Sequence, residues 1–335
     1  MRDGLLLIDK EKGCTSHDVV QKARRILKEK KIGHCGTLDP DATGLLLLTV
    51  GSATRLTRFL IRAGKVYEGT IRFGAATDTY DAAGQVTSEG SLEGLTLQAI
   101  AAAMAGFVGT FEQTTPPYSA KKVGGVKLYE MARRGEEVPV ETKEVTVYEF
   151  APTSEFRDGS VDFRLACTSG TYARTLAHDV GARLGCGAHL SALRRIKIGG
   201  FGIEQAVTLG ELAQRLYPAP AAPAAPTAPA ANAENPSAEP PAAPRSAAAG
   251  SLPASAGDAW VPFDRIPLPF GAVVADGQQE QRIRHGQTVL VRELLGDEGD
   301  WVELRNRRQQ LVAVGTIIER IGSGGAGIVQ PKVVF

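Results

Sequence analysis

Apolar and polar positions alternate in two stretches of the chain, residues 67–73 and residues 161–167. Alternation with a period of two is typical of strands that bury one face. Two unbroken apolar runs, at residues 4–8 and 45–50, predict short buried strands instead. The pattern thus predicts several strands within the first half of the chain.

A helix is predicted from about Ser16 to Lys30, because apolar positions recur there every three to four residues. Ser16 is the expected N-cap, and Asp18 lies in the first turn, where a carboxylate is favoured. The opposite face of this helix is strongly basic. Strands and helices therefore mix in this part of the chain.

Residues 218–257 differ from the rest, because they consist largely of Ala and Pro and contain ten of the 19 prolines. Frequent prolines disfavour the alternative of a buried Ala-rich helix, and the stretch predicts a disordered, semi-rigid linker that spans up to about 3 Å per residue. We therefore expect a first domain at 1–217, a linker at 218–257 and a separate, independently folding domain at 258–335. Short apolar runs in the last domain predict a small β-barrel or sandwich, at residues 288–291, 301–304 and 311–317.

The 335 residues carry a formal net charge of only +1, so a nucleic-acid partner must be inferred from local clusters. The four cysteines lack the spacing of a disulfide framework or a zinc site, which predicts reduced thiols, a cytoplasmic protein and no bound metal. The apolar run near the first residue is too short, and charged residues follow it too soon, for a signal peptide or a membrane span.

The densest candidate for chemistry is the segment from Gly33 to Gly44. Its glycines let the backbone approach a ligand closely, and Pro40 keeps Asp39 out of the helical region and so fixes its direction. A carboxylate displayed on such a loop suits nucleophilic or acid–base chemistry. Ordinary turn residues are the alternative interpretation, and the residues alone leave both open.

A second candidate is the segment 169–174. Thr171 is the expected N-cap of a helix, which places Arg174 at the third helical position. The helix dipole disfavours a cation there by a few tenths to about 1 kcal/mol. Such a local conflict suggests a carboxylate partner elsewhere, for which Asp39 is the obvious choice, although an exposed Arg without a role is the alternative.

Basic residues interleave with aromatic residues at 117–134, and a further basic run lies at 194–197. This composition fits an RNA surface, where phosphates contact cations and unstacked bases contact rings. Tyr67 lies on the apolar side of its strand, and the pattern does not separate core packing from contact with a base.

Seven short motifs follow one another along residues 3–215: Leu6-Leu7-Ile8-Asp9-Lys10, Gly33-His34 through Gly44, Lys65-Val66-Tyr67, Thr77-Asp78-Thr79-Tyr80-Asp81, Gln113 with the residues at 116–120, Gly170-Thr171-Tyr172-Ala173-Arg174 and Leu193-Arg194-Arg195. In order and spacing, these motifs resemble the bacterial tRNA pseudouridine synthases of the TruB type. The resemblance covers almost all of residues 3–215.

The resemblance implies an α+β catalytic domain of the pseudouridine-synthase type, with a mixed, largely antiparallel sheet, and a small C-terminal β-rich domain of the RNA-binding PUA type. It implies that Asp39 is the catalytic residue and that Tyr67 packs on the flipped target base. Arg174 would pair with Asp39 and keep it ionised. The residues expected to line the uridine site are His34, Tyr172 and Leu193.

The implied reaction isomerises uridine-55 in the T-loop of tRNA to pseudouridine. The C1'–N1 bond breaks and the base rejoins through C5, so no cofactor is expected. Asp39 could attack C1', attack the uracil ring or take a sugar proton. The expected partner is tRNA through its T-arm, with no membrane, no obligate protein partner and a monomeric chain.

Two other functions stay open from the sequence: a guide-RNA-dependent pseudouridine synthase of related type, and an RNA-folding chaperone acting on tRNA. Two departures from the family pattern also matter. Glu11 stands where the family commonly has Pro, and the long linker puts close docking of the two domains in doubt.

Overall fold

The computed structural model of the chain describes residues 3–116, 122–123, 126–127, 142–218, 259–322 and 325–335. The predicted linker at 218–257 therefore lies outside the described residues, except for Pro218, and so does most of the basic and aromatic cluster at 117–134. The helices in the described part are α1 (Ser16–Leu27), α2 (Thr57–Leu60), α3 (Leu97–Ala105), α4 (Ala173–Leu184), α5 (Leu209–Leu216) and α6 (Gly277–Arg284).

The strands of the described residues follow one another along almost the whole chain. They are β1 (Gly4–Lys10), β2 (Ile32–His34), β3 (Thr43–Val50), β4 (Lys65–Phe73), β5 (Ala75–Thr77), β6 (Val86–Glu89), β7 (Gly109–Thr114), β8 (Lys122–Val123), β9 (Val126–Lys127), β10 (Thr142–Pro152), β11 (Ser160–Cys167), β12 (Ala188–Ile198), β13 (Phe201–Gly202), β14 (Trp260–Pro262), β15 (Gly271–Val274), β16 (Val289–Val291), β17 (Trp301–Arg305), β18 (Leu311–Ile321) and β19 (Ala326–Val334).

A ten-stranded sheet organises the first part of the fold. Its strand order is β14-β1-β3-β12-β4-β11-β10-β7, with β2 on β3 and β13 on β12. Among the described pairs of this sheet, only β3 and β12 run parallel, and the others are antiparallel. The expected α+β class with a mixed, largely antiparallel sheet is therefore confirmed.

The unbroken apolar runs of the sequence form β1 and β3, and both faces of these strands are buried. Leu5 and Leu47 lie in one hydrophobic cluster, whereas Leu6 and Leu48 lie in another with residues of α1 and α5. A strand that is covered on both sides has no polar face, which is why the alternation is missing here.

The cluster that contains Leu5 and Leu47 is shared with the C-terminal part of the chain. Ile266 and Val314 belong to it, and β14 extends the large sheet by pairing antiparallel with β1. The ring of Phe59 also meets those of Phe270 and Trp301, at centroid distances of 5.1 and 4.9 Å. The two regions therefore dock closely and share a core, which removes the doubt about close docking. Independent folding and the domain boundaries at 217 and 258 stay predictions.

The C-terminal region has a second sheet of five strands in the order β15-β17-β18-β19-β16. The three predicted apolar runs correspond to β16, β17 and β18. Ile283 of α6 is completely buried in the hydrophobic cluster of this sheet. The region is therefore β-rich, as expected, with one helix packed on its sheet.

Helix α1 begins differently from the prediction. Thr15, not Ser16, is the N-cap: its hydroxyl accepts from the Asp18 N–H at 3.1 Å, and the Asp18 carboxylate accepts from the Thr15 N–H at 2.9 Å. The hydroxyl of Ser16 instead accepts a hydrogen bond from the Leu38 N–H at 2.9 Å and donates to the Leu38 carbonyl at 3.2 Å. The helix start is thereby attached to the loop that carries Asp39.

Candidate active site

The loop between β2 and β3, residues 35–42, carries Asp39 and is held by two buried cations. The first is Lys10 at the end of β1, whose ammonium donates to the carbonyls of Pro40 at 3.0 Å and Ala42 at 2.6 Å. Burial lowers the pKa of Lys10. Its two bonds fix the backbone directly after Asp39.

The second cation is Arg195 on β12, only 1% exposed. Its guanidinium donates to the carbonyls of Leu45 at 2.8 Å and Gly36 at 3.1 Å, on either side of the loop. Gly44 has φ +99°, and a Cβ there would lie 2.8 Å from the backbone nitrogen of Arg195. Only glycine tolerates both the torsion and the close approach of β12, so the loop is held tightly against the sheet.

Arg174 lies between two carboxylates. One terminal nitrogen is 3.4 Å from Asp39 Oδ1, and the other is 3.7 Å from Asp81 Oδ2. The Arg174 side chain is only 7% exposed, whereas that of Asp39 is 45% exposed. A buried cation thus faces an accessible carboxylate, and Arg174 leaves that carboxylate open to the cavity side.

The start of α4 places this arginine, with one difference from the prediction. Tyr172 is the N-cap, so Arg174 is the second helical residue and not the third. Thr171 does not cap the helix, because its hydroxyl donates to the Thr168 carbonyl at 3.0 Å. The unfavourable position of a cation in the first turn remains, and the two carboxylates offset it.

A cavity of about 310 Å³ opens beside Asp39. Five of the sequence-predicted site residues line it: Asp39, Tyr67, Tyr172, Arg174 and Leu193. Tyr67 is 7% exposed and belongs to the main hydrophobic cluster as well, so its two interpretations are compatible. Burial raises the pKa of Tyr67, which keeps its phenol protonated at neutral pH.

His34 is placed differently from the other predicted residues. It lies on β2 opposite Leu48, and it is not among the residues that line the cavity. Its Nδ1 is buried without a hydrogen-bond partner in the described residues, and burial lowers the pKa of the ring. His34 lies two residues before Gly36, which does line the cavity, and its expected place at the uridine site stays a prediction.

Sequence reasoning gave no specific role to several residues of the site. Lys65 lines the cavity, is 5% exposed, and donates to the carbonyls of Ile61 at 2.9 Å and Ala63 at 2.7 Å. Burial lowers the pKa of Lys65 to about 8. Lys10 and Lys65 each lie at or near one end of a predicted strand with a buried face. A cation in that position needs buried hydrogen-bond acceptors, and this was the sequence signal that could have identified both residues.

The basic run at 194–197 is mostly engaged within the fold. Arg195 is buried, and Arg194 forms a bidentate ion pair with Asp9, at 3.0 and 2.6 Å. Of the three cations in this run, Lys197 alone is exposed. The run is therefore a weaker candidate for phosphate contacts than its composition indicated.

All four cysteines are free, and burial raises the pKa of the Cys35 thiol to about 12 and that of Cys167 to about 11. In the described residues, no three His, Cys, Asp or Glu side chains are grouped so that they could hold a metal ion. None of the helices in the described part is long and apolar enough to span a bilayer.

Two family models match adjacent parts of the chain. The model for the N-terminal domain of the TruB family pseudouridylate synthases matches residues 24–173, and that for the tRNA pseudouridylate synthase B C-terminal domain matches residues 174–223. A relative from Opitutus terrae, named tRNA pseudouridine synthase B, is 50% identical over 224 residues, which cover 64% of this chain and 92% of the relative. The chain belongs to the TruB family.

A second relative of this TruB family member, from Streptococcus mutans, has the same name and is 48% identical over 221 residues, covering 64% of this chain and 75% of the relative. Among solved structures, a Cbf5-Nop10-Gar1 complex contains a chain with a TM-score of 0.71 and 25% identity, which matches 99% of this chain and 85% of its own length. An archaeal box H/ACA sRNP Nop10-Cbf5 complex matches with a TM-score of 0.68 and 23% identity, over 99% of this chain and 86% of that one.

Proposed function

We propose that the chain isomerises a uridine of tRNA to pseudouridine, and that the target is uridine-55 of the T-loop. The observation that carries this proposal is the pair of Asp39 and Arg174, 3.4 Å apart, in a cavity of a TruB family chain. The relatives with this name support the substrate class.

The target base is stacked in folded tRNA and must be extruded into the cavity at a cost of a few kcal/mol. The cavity of about 310 Å³ has the size of a small-molecule site and suits a single nucleoside. Tyr67 and Leu193 offer apolar contact area to the extruded base, and this contact offsets part of the unstacking energy.

Asp39 is the group that acts on the nucleotide. It is the accessible carboxylate of the cavity, and Arg174 holds it from the buried side. Its position is compatible with attack on C1', with attack on the ring, and with proton abstraction from the sugar. The product is an isomer of the substrate, so the atoms and electrons balance without an oxidant, a reductant or a cofactor.

We further propose that the chain acts on tRNA as a monomer in the cytoplasm without an obligate protein partner, and that its β-rich C-terminal region is a PUA-like RNA-binding domain. Exposed cations such as Lys22 and Arg25 of α1 and Lys197 of β12 are available for phosphates in the described part of the chain. Binding should therefore weaken with increasing salt.

The test is to incubate the purified chain with unmodified tRNA and to map pseudouridine by carbodiimide-dependent stops in reverse transcription. A stop at position 55 is expected with the wild type, and none with Asp39→Asn or with tRNA that has cytidine at this position. Modification elsewhere, or equal modification by Asp39→Asn, would contradict the proposal.

A second candidate is a guide-dependent synthase, because solved structures similar to this chain are complexes with other proteins. The same assay separates the two. Activity of the chain alone on tRNA excludes a need for guide RNA, whereas activity only after addition of guide RNA and partner proteins would favour this alternative. An Asp39→Asn variant that still promotes tRNA folding would add a chaperone activity.

A further inference from the structure

Gln113, near the end of β7, uses its whole side-chain amide on one residue of the site. Its Nε2 donates to the Tyr172 carbonyl at 3.1 Å, and its Oε1 accepts from the Tyr172 N–H at 2.8 Å. Gln113 is 3% exposed, so both bonds form away from solvent. One side chain thus satisfies both backbone polar groups of Tyr172, as a neighbouring strand would.

Tyr172 is a sensitive point in the chain because it is the N-cap of α4. No side chain caps this helix from within its own first turn. The direction in which α4 leaves the sheet therefore depends on how the Tyr172 backbone is held. Gln113 belongs to the large sheet, where it pairs with Lys143 of β10, so it ties the helix start to the sheet.

Arg174 follows Tyr172 by two residues, and its guanidinium is 3.4 Å from Asp39 and 3.7 Å from Asp81. These are ion-pair distances at which a shift of the helix start by 1 Å changes the contact. Tyr172 and Arg174 both line the cavity, but Gln113 does not. The side-chain hydrogen bonds of Gln113 therefore reach the cavity through the backbone of Tyr172.

We propose that Gln113 is a positioning residue of the active site, which fixes the first turn of α4 and thereby holds Arg174 against Asp39. The proposal rests on the proposed function, because its readout is the isomerisation of uridine. It differs from a purely structural role, in which loss of the buried amide lowers stability and leaves the reaction rate of the folded protein unchanged.

The first arm of the test is Gln113→Leu, which keeps the volume and removes both hydrogen bonds. The single-turnover rate at saturating enzyme should fall between about tenfold and a hundredfold, as expected for a misplaced catalytic pair. The Kd for tRNA should change by less than about threefold, since a positioning residue acts on the reaction and not on the bulk of the RNA contact.

The matched control is Asn306→Ala. Asn306 is also a buried amide, 6% exposed, and it forms two hydrogen bonds with one residue, Gln310, both at 3.0 Å. It lies in the C-terminal region and is not among the cavity residues. This variant should lose stability and keep the single-turnover rate, which shows that loss of a buried amide is not sufficient.

The second arm is Gln113→Glu, measured as the rate relative to wild type between pH 8 and pH 5.5. The introduced carboxyl group can donate to the Tyr172 carbonyl only when it is protonated, and burial raises the pKa of such a group. The relative rate should therefore rise by about tenfold or more as the pH falls. A purely structural role predicts a relative rate that does not follow the protonation of this group.

Each outcome decides the question. A wild type that forms no pseudouridine contradicts the proposed function itself, whereas an active wild type with an equally active, folded Gln113→Leu variant overturns only the role of Gln113. Parallel losses in rate and tRNA affinity in Gln113→Leu would also overturn the positioning role of Gln113. If Gln113→Leu does not fold, as judged by circular dichroism, the pH dependence of Gln113→Glu decides alone.

Discussion

Two regions on the same pair of strands, β1 and β3, are built in opposite ways. The loop that carries Asp39 is held by directional polar contacts, in which Lys10 and Arg195 donate to backbone carbonyls. The shared core beneath β1 and β3 is held by apolar packing between Leu5, Leu47 and side chains of the C-terminal region. One region fixes the direction of a carboxylate, and the other joins two parts of the chain.

The difference indicates which substitutions affect the reaction and which affect stability. Hydrogen bonds have a defined geometry, so their loss moves a reactive group even where the fold survives. Apolar burial is non-directional and scales with area. Its loss therefore lowers the free energy of unfolding and has little effect on the geometry of reactive groups elsewhere in the fold.

Removal of the carboxylate itself should have the largest effect. Asp39→Asn keeps the shape of the loop but loses nucleophilicity and basicity, and we expect pseudouridine formation below about 1% of wild type, a barrier increase of about 3 kcal/mol or more. Affinity for tRNA should stay within a few fold. Single-turnover assays and filter binding measure the two quantities, and turnover above this level would show that Asp39 is not essential.

Leu47→Ala tests the apolar region. Leu47 is completely buried in the shared core, so the variant should lose about 2 to 5 kcal/mol in the free energy of unfolding. The single-turnover rate of the folded protein should hardly change. Leu295→Ala is the control, because Leu295 is 80% exposed and should cost almost nothing. A large loss of rate without loss of stability would refute the contrast.

Lys10→Met should lower the reaction rate of the folded protein, which Leu47→Ala leaves almost unchanged. It leaves the Pro40 and Ala42 carbonyls without the buried donor, at a cost of about 1 to 3 kcal/mol in stability, and it releases the loop that carries Asp39. We expect the rate to fall by at least about tenfold in excess of the unfolded fraction. The exposed Lys30 provides the control Lys30→Met; equal rates in both variants would mean that Lys10 only stabilises the fold.

The smallest effect concerns Asp179 on α4. Burial raises the pKa of Asp179 from 3.8 to about 6, so the folded state favours the protonated acid and loses stability as the pH rises from about 4 through 6. Asp179→Asn cannot ionise. The free energy of unfolding of the variant, relative to that of the wild type, should be about 1 kcal/mol higher at pH 7.5 than at pH 4. Partial exposure of Asp179 keeps this difference small. Denaturant unfolding at both pH values measures this difference.

Some features of the molecule could be predicted from local pattern. The strands at 4–8 and 45–50 follow from unbroken apolar runs and those at 67–73 and 161–167 from alternation, because burial of both faces or of one acts on each segment separately. The loop around Asp39 was identified as a candidate site because its glycines allow close approach of a ligand and Pro40 restricts the backbone of Asp39. The search for a distant partner of Arg174 followed from a local conflict with the helix dipole.

Other features depended on which segments meet in space. The apolar runs predicted burial but not that residues more than 200 positions later cover one face of β1, so docking of the C-terminal region was missed. Composition made Arg194 and Arg195 look like phosphate ligands, whereas contacts with Asp9 and with the loop carbonyls engage both. The resemblance implied His34 at the uridine site; His34 is not among the residues that line the cavity, and its role stays a prediction.

The sequence by itself determined the strands at 4–8, 45–50, 67–73 and 161–167, the helix near Ser16 and the display of Asp39, because backbone torsions and side-chain burial act over a few neighbouring residues. Only the tertiary structure decided that Lys10 and Arg195 hold the loop and that Gln113 holds Tyr172. The role of a buried polar side chain depends on its partners, and Gln113 and Arg195 reach theirs across 59 and 150 positions of chain. Contacts of that separation form only when the sheet brings the segments together, so no local pattern encodes them.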